Sequence, residues 1–200
     1  MKTLLLMRHA KASWKDPQLS DQERPLNKRG LKDALFMGKV LFEKELLPQK
    51  IMASSALRAR QTVSELTKGS GYTGEIEFTE SLYLAEPDVY FTVLQQLPDS
   101  IERVMLIGHN PGIEMLLKKL TGRIESMGTG SIASIYLPNH KWIEFTDETE
   151  GDLIELLRLS DLRDTKKQSA EKQHEEKKHK EDMNKDKKKR KKGESKKQKK

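Results

Sequence analysis

The sequence predicts an α/β domain of three layers, α/β/α, with a mostly parallel central sheet. Two short, continuous apolar runs, Leu4-Leu5-Leu6-Met7 and Val104-Met105-Leu106-Ile107, have the pattern of strands covered on both faces. Strand-like and helix-like patterns alternate through the first 120 residues, which is the rhythm of parallel βαβ units. Gly and Pro punctuate that alternation.

Taken in order, the first apolar run ends at Arg8-His9-Ala10, and a polar loop from Lys11 to Leu26 follows, broken by Pro17 and Pro25. Asn27 resembles a helix N-cap, with Leu31, Ala34, Leu35, Gly38 and Leu41 at helical spacing behind it and Pro48 as the stop. Lys50 to Ala53 reads as a second strand. Ser54 or Ser55 then caps a helix carrying Leu57, Arg58, Thr62 and Leu66, ended by Gly69 and Gly71. Ile76 to Phe78 reads as an edge strand, and Val89, Val93, Leu94 and Leu97 as a helical stripe ended by Pro98. After Val104–Ile107, Asn110 suits an N-cap and Pro111 the first helical position of a helix running to Gly122. Ser131–Leu137, Trp142–Phe145 and Leu153–Leu159 read as later strands, antiparallel at one side of the sheet.

Charge divides the chain. Residues 165–200 hold 17 Lys and Arg against 7 Asp and Glu, whereas residues 1–164 hold 21 against 24. The net +7 is therefore a property of the tail, and the rest is mildly acidic. The reading is one domain over 1–164 and a disordered lysine-rich tail over 165–200, where apolar periodicity disappears. Lys187–Lys192 is an unbroken basic run, which suits a nucleic acid or an anionic surface. The tail has no aromatic residue to stack on bases, so a solubilising extension is the plainer reading. There is no cysteine, which excludes disulfides and thiolate metal sites, and no apolar run approaches the ~20 residues needed to span a bilayer. A cytoplasmic location follows as the default expectation.

Three distant segments share one architectural position, the turn after a buried strand: Arg8-His9-Ala10, Ser54 through Thr62, and Gly108-His109-Asn110-Pro111. In an open α/β sheet, ligands bind beyond those strand ends. Two histidines and Arg58 converging there imply an anion site, because guanidinium forks and helix N-termini both match phosphate oxygens.

These motifs resemble the histidine phosphatase superfamily, with its phosphoglycerate-mutase-like fold, and within it the phosphohistidine phosphatases of SixA type. The resemblance covers roughly residues 1–160. It rests on Arg8-His9, Arg24-Pro25-Leu26, Arg29-Gly30, Ser54-Ser55, Arg58-Ala59, Gln61-Thr62 and Gly108-His109-Asn110-Pro111-Gly112. It implies a metal-independent phosphatase without cofactor, in which His9 attacks phosphorus and is transiently phosphorylated. Arg8, Arg58 and His109 would hold the phosphoryl oxygens. Ser13 and Asn110 are expected to line the pocket.

One departure matters. Where many members carry a catalytic Glu as proton donor, this chain has Tyr83-Leu84, with Glu80, Glu86 and Asp16 as substitutes. An alkoxide leaving group gains much from a general acid, whereas imidazole protonates readily near neutral pH. The missing acid therefore favours P–N over P–O cleavage. A short loop after Tyr83 suits a phosphorylated protein, such as a phosphorelay or phosphotransfer protein, and nothing in the sequence demands more than a monomer. The competing readings are a phosphatase of small phosphate monoesters and a non-catalytic phosphate-binding module. A second departure is Gly128, in a loop where the resemblance leads one to expect Pro.

Overall fold

A computed structural model describes residues 1–138 and 141–164 of the chain. The residues of the tail reading, 165–200, lie outside the described residues. Met1–Leu159 forms one compact unit. Among the described residues six strands build one sheet: β1 (Lys2–Arg8), β2 (Lys50–Ser54), β3 (Glu75–Thr79), β4 (Arg103–Gly108), β5 (Ile132–Leu137) and β6 (Asp152–Leu157). Their spatial order is β3-β2-β4-β1-β5-β6. The first four pair in parallel, and β5 and β6 are antiparallel additions beside β1.

Among the described residues, α1 (Lys28–Glu43), α2 (Leu57–Ser70), α3 (Pro87–Gln95) and α4 (Gly112–Thr121) cover the sheet. Alternate strand residues serve opposite layers. Leu4, Leu6, Val104, Leu106, Ala133 and Ile135 join α3, α4, Trp142 and Phe145 in one buried cluster. Leu5, Met7, Met105 and Ile107 are equally buried and point to the other layer, that of α1 and α2. These two helices approach so closely that a Cβ built on Gly38 would lie 2.1 Å from the Leu66 carbonyl oxygen. Glycine is required there by space rather than by backbone angle.

Several local expectations shift. Asn27 caps α1 by accepting from Gly30 N at 2.8 Å, as its position predicts. The helix nevertheless ends at Glu43, well before Pro48, where Glu45 takes a left-handed φ of 57°. At α2 the N-cap is Ala56; Ser54 Oγ accepts from Ala56 N at 3.2 Å, and its main role lies elsewhere. Asn110 does not cap α4, which starts at Gly112, because its amide is turned to donate to Met127 O at 3.1 Å. Trp142–Glu144 is a turn of 3-10 helix rather than a strand, and it carries Trp142 into the core, where Nε1 donates to Ile101 O at 2.7 Å. The loop read between Lys11 and Leu26 contains another 3-10 turn, Asp21–Glu23, held by a Ser20–Glu23 capping box.

The topology creates the functional end. The chain leaves β1, passes over to β2 and β3, and returns to place β4 between β2 and β1. That reversal opens a crevice at the carboxyl ends of these strands. In register Arg8 faces Gly108, and His9 N donates to Gly108 O at 3.1 Å, so the turns after β1 and β4 begin side by side.

Candidate active site

Arg8, His9, Arg58, His109 and Asn110 line one cleft of about 430 Å³ at those strand ends, with Lys11, Ala12, Trp14, Arg24, Leu84 and Thr129. The His9 and His109 rings lie 5.0 Å apart between centroids. Ser13 is not among the lining residues. Its backbone N–H donates to Pro25 O and its hydroxyl accepts from Lys15 N, so the side chain serves an exposed turn while Ala12 and Trp14 face the cleft.

Obligate donors and one obligate acceptor fix both imidazole tautomers. His9 Nδ1 lies 2.7 Å from Ala10 O, a carbonyl that can only accept, so Nδ1 carries the proton. Nε2 is then a bare lone pair and accepts from Arg58 Nε at 3.3 Å. At His109 the order is reversed: Nδ1 accepts from Arg58 Nη2 at 3.2 Å, and the Nε2 proton points to Ser54 Oγ at 2.8 Å. Burial is the largest influence on His9. The bond to Ala10 opposes it, Arg58, Arg8 and Arg24 reinforce it, and the pKa falls to about 4. Burial, His9 and Arg58 pull His109 down to about 3. Both rings are therefore neutral near pH 7.

Arg58 organises this arrangement and is itself held by Asp21, a residue the sequence reading passed over. Nη1 donates to the Asp21 carbonyl, and Nη2 donates to Oδ2 at 2.9 Å. Asp21 Oδ1 accepts from Arg24 Nη1 at 2.6 Å, and Oδ2 also accepts from the Tyr83 hydroxyl at 2.8 Å. Partial burial acts upward on the Asp21 carboxyl. The Tyr83 hydrogen bond and the Arg58 and Arg24 cations outweigh it and bring the pKa to about 2. A signal for Asp21 did exist: Ser20-Asp21-Gln22-Glu23 is a capping box, which fixes a turn where a loop was read. Tyr83, noted only as the residue standing in place of a Glu, also packs edge-on to His109 at 5.6 Å.

Arg8 donates from Nη1 to Met127 O at 3.0 Å, while its Nε is buried with no hydrogen-bond partner among the described residues. Burial lowers its pKa and Glu114 opposes the effect. The candidate acids stand apart from the cleft lining. Glu80 accepts from Gln22 Nε2 at 3.0 Å and from Ser55 Oγ, Asp16 accepts from Gln18 N, and Glu86 stands at the N-cap position of α3 without a side-chain capping bond. Among the described residues no carboxylate lines the cleft. The loop carrying Tyr83 and Leu84 is seated against α4, where a Cβ on Gly112 would lie 1.9 Å from Ala85 O. Among the described residues no group of three or more His, Asp or Glu could hold a metal ion, and no helix is long and apolar enough to cross a membrane.

The geometry has counterparts in known proteins. Residues 4–86 match the family model of the histidine phosphatase superfamily (branch 1). An uncharacterized chloroplastic protein of Arabidopsis thaliana is 32% identical over 151 residues, covering 70% of this chain and 69% of the relative. A candidate phosphohistidine phosphatase SixA from Agrobacterium tumefaciens superposes with a TM-score of 0.68 at 25% identity, covering 78% of this chain and 97% of that one. A protein histidine phosphatase SixA complexed with tungstate gives a TM-score of 0.69 at 23% identity, covering 80% and 99%. The fold is thus the phosphoglycerate-mutase-like one that the motifs imply, and the chain belongs to the histidine phosphatase superfamily.

Proposed function

We propose that the chain is a metal-independent phosphatase that removes phosphate from phosphohistidine in proteins, with His9 as nucleophile. The observation that carries this reading is the His9 tautomer. Ala10 O holds the proton on Nδ1 and leaves the Nε2 lone pair facing a cleft with four cationic side chains and no lining carboxylate. Residues 1–164 are the unit to which the reading applies. A protein without cysteine suits the cytosol, where thiols stay reduced in any case.

In this reading the phosphoryl dianion enters against Arg8, Arg58 and His109. Arg58 exchanges its bonds to the two rings for phosphoryl oxygens, and the dianion draws a second proton onto His109, whose Nδ1 then donates. His9 Nε2 forms a bond to phosphorus as the P–N bond of the substrate breaks in line, and the departing imidazole nitrogen takes a proton from solvent. Water then attacks phosphorus, the His9 Nε2–P bond breaks, and inorganic phosphate leaves. Cations stabilise the charge that spreads over the equatorial oxygens. The carboxylate bonded to Arg58, Asp21, is held ionised by three donors and is a poor acid, which supports a substrate whose leaving group needs little help. The tungstate bound in a SixA relative supports an oxyanion site of this kind.

The test compares turnover of a phosphohistidine peptide with that of a phosphoserine peptide, in chelator, in the wild type and in His9→Ala. Strong preference for phosphohistidine is expected. His9→Ala should show no turnover and no acid-labile phosphate on the protein, with an unchanged melting curve. Equal or faster ester hydrolysis would transfer the assignment to small phosphate monoesters.

A further inference from the structure

Trp14 lines the cleft and has no part in this chemistry. It is 79% exposed, on the loop between β1 and α1. One face of its ring is covered by the Arg24 guanidinium, whose carbon lies 3.1 Å from the ring centroid. Arg24 is itself buried, and it is fixed by Asp21 Oδ1 at 2.6 Å and Ser13 O at 3.2 Å. The indole is thus held flat by a clamped cation, with its other face towards solvent. It lines the same cleft as His9 and Arg58. A large aromatic side chain so fixed and so exposed offers a stacking surface rather than core packing.

We infer that Trp14 is the platform for the departing imidazole ring, and that it sets the preference for phosphohistidine over substrates without a ring. This rests on the phosphohistidine reading above. The ring to be stacked is planar, is joined directly to phosphorus, and leaves on the side opposite His9. It departs as a neutral imidazole, protonated on the nitrogen that phosphorus leaves, and the flat indole face is a side-chain partner for such an aromatic ring. An alkyl phosphate gains nothing from such a surface. Trp14 holds the leaving group and forms no bond, so the balance of the transfer is unchanged.

The experiment uses two P–N substrates that differ in the ring, a phosphohistidine peptide and phosphoramidate, with the wild type, Trp14→Ala and Trp14→Phe. The kcat/KM ratio of the first to the second should fall about three- to tenfold in Trp14→Ala and recover in Trp14→Phe. An unchanged ratio in Trp14→Ala, or a Phe variant no better than Ala, overturns the platform. So does a loss on a nucleoside monophosphate that exceeds the loss on phosphohistidine, since the surface would then serve a nucleobase. Failure of the phosphohistidine reading is visible separately, as a wild type that does not prefer phosphohistidine to phosphoserine.

Discussion

Replacing Asp21 by alanine removes three hydrogen bonds at once, from Arg58, Arg24 and Tyr83, at 2.9, 2.6 and 2.8 Å. Bonds of this charged kind are worth ~1.5–3 kcal/mol each when fully buried. The Asp21 side chain is 44% exposed, so water replaces much of what is lost. A net destabilisation of about 2 kcal/mol remains, which for a domain of this size lowers Tm by about 4–8 °C. The larger effect is on Arg58, which is buried and is left with the Asp21 carbonyl, the two imidazoles and the Tyr83 ring as partners. Loosening that guanidinium should lower kcat/KM by roughly 10- to 100-fold. Asp21→Asn keeps one acceptor and should fall between alanine and wild type. The pH profile separates positioning from acid catalysis. A carboxyl held at about 2 stays ionised over the usual assay range, so the loss in Asp21→Asn should be uniform with pH. Thermal melts and kcat/KM on a phosphohistidine peptide, both measured across pH, read the two effects. The positioning argument is refuted if the alanine variant keeps its Tm and turns over within twofold of wild type. It is equally refuted if Asp21→Asn removes an alkaline limb that the wild type shows.

Two further outcomes are expected. His9 and His109 titrate at about 4 and about 3 in the folded protein, below the ordinary 6.5. Between those values the unfolded chain binds more protons, so this stability is fully present above ~6.5 and is lost as pH falls through the folded values. Tm should drop on acidification from neutrality towards pH ~4, and drop less in His109→Gln; equal slopes would remove the buried histidines as the cause. Gly38→Ala forces a methyl group against the Leu66 carbonyl at the α1–α2 contact, which should cost at least about 2 kcal/mol and lower Tm by about 4–8 °C. An unchanged melt would show that the helices separate freely.

The sequence alone carried the sheet and the core of the site because their signals are local. Leu4–Met7 and Val104–Ile107 are apolar on both faces, so they had to be central strands, and the residues after them had to emerge at one end. That places His9, Arg58 and His109 together without coordinates. Asn27 was legible for the same reason, since a cap bonds three residues away. What the tertiary structure decided are relations between distant side chains. Asp21 meets Arg58 across 37 positions and Tyr83 across 62, distances at which no sequence pattern acts. Ser13 and Trp14 are adjacent in sequence. Only the fold determines that the first turns away and the second, stacked on Arg24, faces the cleft. The proton positions on the two rings belong to the same class: they follow from which neighbour is a carbonyl and which a guanidinium, and packing alone chooses those neighbours.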